Sequence, residues 1–511
     1  MWQAIKEAKH RLAREQGAVF KDWGGKIPIA LIYPNSYYVG MSNLGFQTIY
    51  GMLNSYPHLV CERVFWEERG RESPLLSLET QRPVADFAIL AFSVSYELDY
   101  FNVVQILKAS GIPLLAAHRD ETHPLVIAGG PCIMANPQPL ACFFDCFAIG
   151  EAEVLLPSLL EVVSRGIWGR REELLQALSS LPGIYVPQVQ EQRSVSRQWV
   201  RNLDDFATVS VVLSPHTEFG DMYLIEIERG CGRGCRFCLA GHIFRPARFR
   251  SLHKILAQAE AGLKQRKRLG LIGAAVMDHP QIEEMVIALR QQGARLSLSS
   301  MRIDALTEEV LQALAESDAR TITLAPEAGS ERLRKLVRKG VSEEKILAAI
   351  DRVARYNFPQ LKLYFMVGLP GETEQDVEEI VRLALACQER LEKQRARSQL
   401  ILNVAPFVPK AGTPYERVPM ASAAILEQRL KRIKIPLRRK GIGVKTESVS
   451  WSLVQGMLAR GDARLGAVLA QMPRKSLSAW HSALEACGLD AGRYIHRELS
   501  AQETLPWAML H

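Results

Sequence analysis

The chain has 511 residues, 48% of them hydrophobic and 23% charged. That length exceeds one ordinary core and divides into two or three domains, and the balance is that of a soluble globular protein, which excludes a disordered or fibrous chain. The net charge of +8 is modest for this length, and the nine cysteines lack the regular spacing of a disulfide framework. No apolar run reaches the roughly 20 residues of a membrane span. The amphipathic start, residues 1–25, mixes acid with base and does not read as a secretory signal. A reducing, cytoplasmic setting without a membrane partner is expected.

Residues 26–185 alternate short apolar runs with helical patterns. The strand candidates are Ile27–Tyr33, Leu59–Phe65, Phe87–Ser93, Pro113–Ala117, Leu125–Gly129 and Cys146–Gly150, and helical patterns at 43–54, 100–110 and 152–164 separate them. This is the pattern of a Rossmann-like, doubly wound sheet. Cys132, Cys142 and Cys146 lie in or near apolar sequence, where free cysteine behaves as a small hydrophobe rather than a cluster ligand. Residues 186–220 are polar, with Gln188–Arg197 rich in Gln, Ser and Arg, and read as a connection.

From 221 to 445 six βα units follow one another. Strands are expected at Tyr223–Glu228, Leu269–Met277, Arg295–Ser300, Thr321–Ala325, Leu361–Val367 and Leu400–Pro406. Helices are expected near 252–266, 279–293, 307–317, 330–356, 374–393 and 419–435. Asp278 with Pro280, Thr307 and Thr373 carry helix-start signals. Six parallel units fall short of the eight that close a barrel and imply a partial (βα)6 barrel. Residues 446–511 carry short helical patterns around Trp451–Ala459 and Leu477–Ala486, a small helical region that caps the barrel or docks substrate. Basic runs at Lys264–Arg268 and Arg429–Lys440 are candidates for nucleic-acid contact. They read equally as solvated helix faces, the second interleaving Leu430, Ile433 and Leu437 with its charges.

The most informative stretch is Glu228-Arg-Gly-Cys-Gly-Arg-Gly-Cys-Arg-Phe-Cys238, just beyond the first barrel strand. Cys231, Cys235 and Cys238 are spaced C-x3-C-x2-C, and Gly230, Gly232 and Gly234 let the backbone curl around a bulky object. Three thiolates suit an iron–sulfur cluster with one iron left open. With His242 they would also make a Cys3His zinc site, and the glycines alone imitate a phosphate loop. Ligands in parallel α/β folds meet the carboxyl ends of strands. There the sequence offers Gly273, Ser300, Arg302, Glu327 and Lys362, along with glycine turns at Val367–Glu372 and Val408–Tyr415. Arg302, Glu327 and Lys362 could equally form an ion network at the barrel mouth.

The cysteine loop resembles the radical S-adenosylmethionine (SAM) superfamily cysteine for cysteine. The resemblance implies a 4Fe-4S cluster on Cys231, Cys235 and Cys238 whose open iron chelates SAM, with reductive cleavage to a 5′-deoxyadenosyl radical fed by an external electron donor of flavodoxin or ferredoxin type. It places Phe237 against the adenine, and it draws Gly273, Ser300, Arg302, Glu327 and Lys362 toward SAM. A Rossmann-like domain ahead of such a barrel resembles cobalamin-binding radical SAM enzymes, as do Gly129-Gly-Pro131 and Ile149-Gly-Glu-Ala-Glu153. Cobalamin-dependent methylation is one outcome this leaves open. The histidine that would ligate cobalt from below is replaced by Tyr37 in Asn35-Ser-Tyr-Tyr-Val-Gly40, and a phenol is a poor cobalt ligand. The absence of a second cysteine cluster argues against a methylthiotransferase. Tyr38–Gly45, Phe92–Glu97, Ala325–Ser330 and Lys362–Gly368 together resemble an uncharacterised bacterial radical SAM family with a dedicated N-terminal domain, over most of residues 26–420. The alternative is a non-catalytic zinc- or nucleic-acid-binding protein.

Overall fold

A computed structural model describes residues 2–67, 75–189, 194–220, 222–299 and 301–510. The first sheet has six strands, β1 (Ile27–Tyr33), β2 (Leu59–Phe65), β3 (Ile89–Ser93), β4 (Leu125–Gly129), β5 (Cys146–Ala148) and β6 (Ile184–Tyr185), in the order β2-β1-β3-β4-β5-β6. All ladders are parallel except β5 with β6. The order reverses at β1, as in a doubly wound sheet. Every residue of β1 and β2 is buried, which is why both read as continuous apolar runs.

The expected strand Pro113–Ala117 does not form. Its end becomes a 3-10 turn, Ala116–His118, held against the sheet by Arg119, which donates to the carbonyls of Pro113 and Leu114. β6 was not expected, because two residues cannot show a period.

The second unit begins with β7 (Met222–Glu226), the short hairpin of β8 (Glu228–Arg229) and β9 (Arg248–Phe249), then β10 (Arg268–Ile272) and β11 (Arg295–Leu298). β12 (Thr321–Glu327), β13 (Gln360–Val367), β14 (Gln399–Pro406) and β15 (Gly443–Thr446) follow. Among the described residues these form two parallel sheets, β11-β10-β7 and β12-β13-β14-β15. All six expected barrel strands are present, and β15 is a seventh. β10 ends at Ile272, five residues early, where the chain turns out toward Val276–Asp278. Leu361, Leu363, Phe365 and Val367 pack outward into the large core, so Lys362, Tyr364 and Met366 take the opposite face of β13.

Thr307 and Thr373 cap their helices as expected, the latter in a capping box with Asp376. Asp278 does not cap: the helix starts at Ile282 after Gln281. The long pattern at 330–356 divides into Glu331–Leu336 and Glu343–Ala354 around Gly340 at φ +67°. At Gly329 a β-carbon would overlap the backbone of Glu379 and Ile380, so this turn packs on the helix Glu374–Lys393 without room for a side chain.

The segment at 194–220 bridges rather than dangles. Gln198 pairs with Gly150, Val195 with Leu510 and Val209 with Ile225. The C-terminal helices Val449–Arg460, Leu465–Gln471 and Leu477–Ala486 lie on the first unit: Trp480 meets Phe101 edge-on at 5.6 Å, and Asn136 donates to the Gly461 carbonyl at 2.8 Å. Val449–Arg460 also packs on the segment after β14, with Met420 and Val408 against Gly456 and Arg460 donating to the Val418 carbonyl at 2.7 Å.

The N-terminal helix Trp2–Leu12 leads into a buried ion network. Arg63 on β2 meets Glu15 at 2.6 Å and Glu79 at 2.7 Å, and all three side chains are essentially without solvent. Removing one partner from such a network strands the others. Arg63→Met is expected to cost about 3 kcal/mol of stability, since two buried carboxylates lose their cation; urea unfolding of both proteins at pH 7 measures it.

Candidate functional site

The thiol loop leaves the barrel where β8 pairs with β9. Gly230 sits at φ +87°, and a β-carbon there would overlap the Phe244 carbonyl, so the first turn tolerates only glycine. Arg236 N–H donates to the Val337 carbonyl at 3.1 Å and pins the loop beside the turn after Glu331–Leu336. The Cys235 and Cys238 thiols are pushed up by burial, Cys235 to about 11; Cys231 and Glu327 add to the rise at both, and Lys339 opposes it. The cysteines of the loop therefore lie close enough to sense one another's charge.

Glu327 ends β12 at φ +70°, a conformation strained for a side chain this size, where the register with β13 shifts. Its Oε1 is 3.1 Å from Lys339 Nζ. Burial raises the Glu327 carboxyl, and Lys339 partly offsets it. Burial also opposes charge on Lys339, but Glu327 and Cys235 more than compensate and hold its ammonium above the usual range. Phe237 packs with Met366, Leu369, Phe407 and Tyr415 at the ends of β13 and β14. Cys231, Cys235, Cys238, Phe237 and Glu327 thus come together, and Lys339 joins them unforeseen. Its one cue in the sequence is the Arg338-Lys339 pair before Gly340.

The other expected residues lie elsewhere. Arg302 is engaged by Asp278 and Asp304, and Asp278 also holds Arg233 of the thiol loop at 2.6 Å. Lys362 is the third residue of β13, five positions before the strand's carboxyl end. Ser300 lies outside the described residues. Gly273 donates its N–H to Ser299 Oγ at 3.2 Å, and the space a β-carbon would need is taken by Glu228. The group that approaches Gly273 is this chain's own carboxyl.

Glu228 is 1% exposed. Its Oε1 accepts from Ala275 N–H at 2.5 Å, and its Oε2 has no partner. Burial, with Glu226 and Asp278 nearby, raises this carboxyl to about 7. Beside it Arg229 bonds Glu226 at 2.8 Å, Glu153 at 2.6 Å and Glu151 at 2.9 Å, and Arg248 bonds Glu151 at 2.7 Å. The stretch Ile149–Glu153 is therefore an ionic tie between the two units, and Gly150 is required because Gln198 backbone lies against it. Lys410, from the loop after β14, similarly meets Glu97 at 2.6 Å, and Glu97 accepts from Gln455 at 2.9 Å.

A cavity of about 560 Å³ lies between the carboxyl ends of β3 to β5 and the rim of the barrel, with Ser95, Gly129, Leu156, Glu228, Ala240 and Gly273 among its walls.

Tyr37 is 2% exposed and donates to Glu15 at 2.5 Å, with Ser214 Oγ 2.8 Å away. It faces the N-terminal segment and does not line this cavity. Cys132 and Cys146 are buried, and burial raises both thiols. Cys142 lies against Gly466. His242 Nε2 lies 3.1 Å from the Cys235 carbonyl, and among the described residues no three His, Cys, Asp or Glu side chains close around a single ion. His242 is thus engaged by backbone, which leaves three sulfur donors of the kind that hold an iron–sulfur cluster. Arg429 and Arg432 pair with Glu372, Glu374 and Glu378, so two of the seven basic residues of that run are engaged within the barrel's outer helices. No helix among the described residues is long and apolar enough to cross a membrane.

A thiol loop at the carboxyl rim of a parallel βα array defines a class, and comparison identifies it: the chain belongs to the radical SAM superfamily. Residues 225–384 match the family model of the radical SAM superfamily, and residues 45–187 match that of the N-terminal region of radical SAM proteins. An uncharacterized protein of Methanocaldococcus jannaschii is 32% identical over 448 residues, 86% of this chain and 90% of that one. An uncharacterized methyltransferase of Pyrococcus horikoshii is 22% identical over 275 residues, covering 51% of this chain and 57% of the relative. The ribosomal protein uS12 methylthiotransferase RimO of Thermotoga sp. is 28% identical over 172 residues, 31% of this chain and 40% of RimO. The chain is an enzyme of a superfamily that binds a 4Fe-4S cluster and SAM, and it spans little more than half, or less, of these two methyl-handling relatives.

Gly230→Ala is expected to lower iron bound after anaerobic reconstitution several-fold with little change in helix content, read by iron assay and circular dichroism. The Glu228 carboxyl gives a pH signature. Its folded value of about 7 lies above the ordinary 4.5, so the folded chain holds the extra proton and the stability this provides is complete below 4.5 and lost as pH rises through 7. Relative to Glu228→Gln, wild type should lose about 3 kcal/mol between pH 4.5 and 8, measured by chemical denaturation at both values.

Proposed function

We propose that Cys231, Cys235 and Cys238 hold the 4Fe-4S cluster, that the Glu327–Lys339 pair and Phe237 form the adjoining SAM site, and that the reaction transfers a methyl group. The observation that carries the reading is the closeness of the thiols to one half-buried ion pair at the strand ends of a radical SAM chain. Bound there, cluster and SAM supply one-electron cleavage of a sulfonium and a carbon radical able to take hydrogen from a substrate. The chain's own part is binding and exclusion. Phe237, with Met366 and Leu369, offers an apolar face for a purine. Glu327 offers acceptors to ribose hydroxyls or an ammonium, while Lys339 and, with rearrangement of its carboxylate partners, Arg302 offer cations to a carboxylate. Gly273, just past β10, and Lys362, on β13, remain candidate contacts, as does Ser300 from the sequence. The electron comes from a small flavodoxin- or ferredoxin-type donor in the cytoplasm, and the unpaired lysines of the Arg429–Lys440 helix face are where a nucleic-acid substrate would be tracked.

Methyl transfer rests on the likeness to the Pyrococcus methyltransferase. A cobalamin with histidine below its cobalt does not fit: Tyr37 occupies that position and is bound to Glu15, away from the cavity.

The test is anaerobic reconstitution with iron and sulfide, then dithionite and SAM. Brown protein with about four irons, forming 5′-deoxyadenosine, is expected. Single Cys→Ala changes at 231, 235 or 238 should abolish that product, while Cys142→Ala should not. Bound zinc with no SAM cleavage would reject the reading.

A further inference from the structure

The cavity between the two units has an uneven lining. Apolar side chains from the first sheet, such as Leu31, Ile89 and Ile127, form much of its wall, while its charged groups are Glu151, Glu153, Glu226, Glu228 and Arg229. Three of the four carboxylates are answered within the protein, by Arg229 and Arg248. Glu228 is not. One oxygen takes the Ala275 N–H, and the other is buried without a donor. An unanswered carboxyl in an apolar enclosure is costly unless a partner arrives. Gly273 shows that its position is built: any side chain at 273 would displace the carboxyl from where it stands.

We propose that this cavity is the substrate pocket and that it takes an apolar group bearing an amine or other cationic nitrogen, which Glu228 receives by turning its buried, unpartnered oxygen toward the cavity. An ammonium entering there meets, among the described lining residues, the one carboxyl that no cation answers, since Glu226 is matched by Arg229 and nearby Asp278 by Arg302 and Arg233; a carboxylate or phosphate would find no free cation among them. No lysine or further arginine is among the described lining residues to compete for Glu228 or to welcome an anion. The ring of small groups near it, Gly273, Ala274 and Ala240, leaves width for an alkyl stem. The assignment deepens the proposed function, and rests on it only in calling the pocket's occupant a substrate.

The experiment uses the reconstituted full-length protein with three six-carbon probes, hexylamine, 1-hexanol and hexanoate, and calorimetric titration at pH 7.5. Hexylamine should bind at least about tenfold more tightly than 1-hexanol, with hexanoate weakest. Glu228→Gln should erase the preference for the amine while leaving 1-hexanol binding in place. Ala91→Trp, which fills the cavity from β3, should abolish binding of hexylamine and hexanol alike. Should Glu228→Gln fail to fold, the wild-type ranking of the probes and the Ala91→Trp loss still decide. Equal affinity for amine and alcohol, an amine preference that survives in Glu228→Gln or Ala91→Trp, or no probe binding to wild type would overturn the assignment. SAM cleavage is assayed separately on the same protein. Cleavage without an amine preference sinks only the pocket assignment, and an amine preference without cleavage sinks only the cluster reading.

Discussion

Arg229 is the point on which the arrangement turns. Its guanidinium is shared among Glu226 of the barrel and Glu151 and Glu153 of the first sheet, and it stands two residues before the first cysteine of the thiol loop. Burial works against the charge, but three carboxylates hold it firmly protonated. Such a group cannot be moved alone, because each displaced partner would be a buried charge without an answer. The orientation of the barrel against the first domain and the starting direction of the thiol loop are therefore coupled through one side chain, with Arg248–Glu151 and Lys410–Glu97 as further ties.

The same economy appears at the cysteines. Glu327 accepts a left-handed backbone and gains Lys339, and the pair faces thiols whose burial leaves them reluctant to ionise in isolation. A cationic group beside the thiols and a carboxyl beside that cation balance the site before any cofactor arrives. Arg302 serves differently: through Asp278 it ties the end of the third βα unit to Arg233.

The fold was legible wherever a pattern persisted over a whole element. β1, β2, β4, β13 and β14 read correctly because both faces or alternate residues are buried along their full length. Pro113–Ala117 looked like a strand by composition alone, and β6 and β15 were too short to show a period. The thiol loop was legible because its spacing has few other uses. Lys339 and Glu228 were not recognised, for different reasons. Lys339 reaches Glu327 across a turn that sequence spacing does not predict. Glu228 was visible as one of the inward-facing set with Leu224 and Glu226, opposite Tyr223, Ile225 and Ile227, but it was read only as the preface to the cysteines. The close approach expected at Gly273 has the same root, since the group nearest to it is that glutamate.

The bridge from Lys410 to Glu97 and on to Gln455 joins three stretches far apart along the chain. Excising the barrel by itself would expose an ammonium that now has a buried counter-ion, and trimming the last sixty or so residues would take away a donor that keeps that counter-ion ionised. The molecule is consequently not a catalytic module with optional appendages: its halves mature as one body, and neither can be exchanged against a relative's without carrying the matching salt-linked partner along.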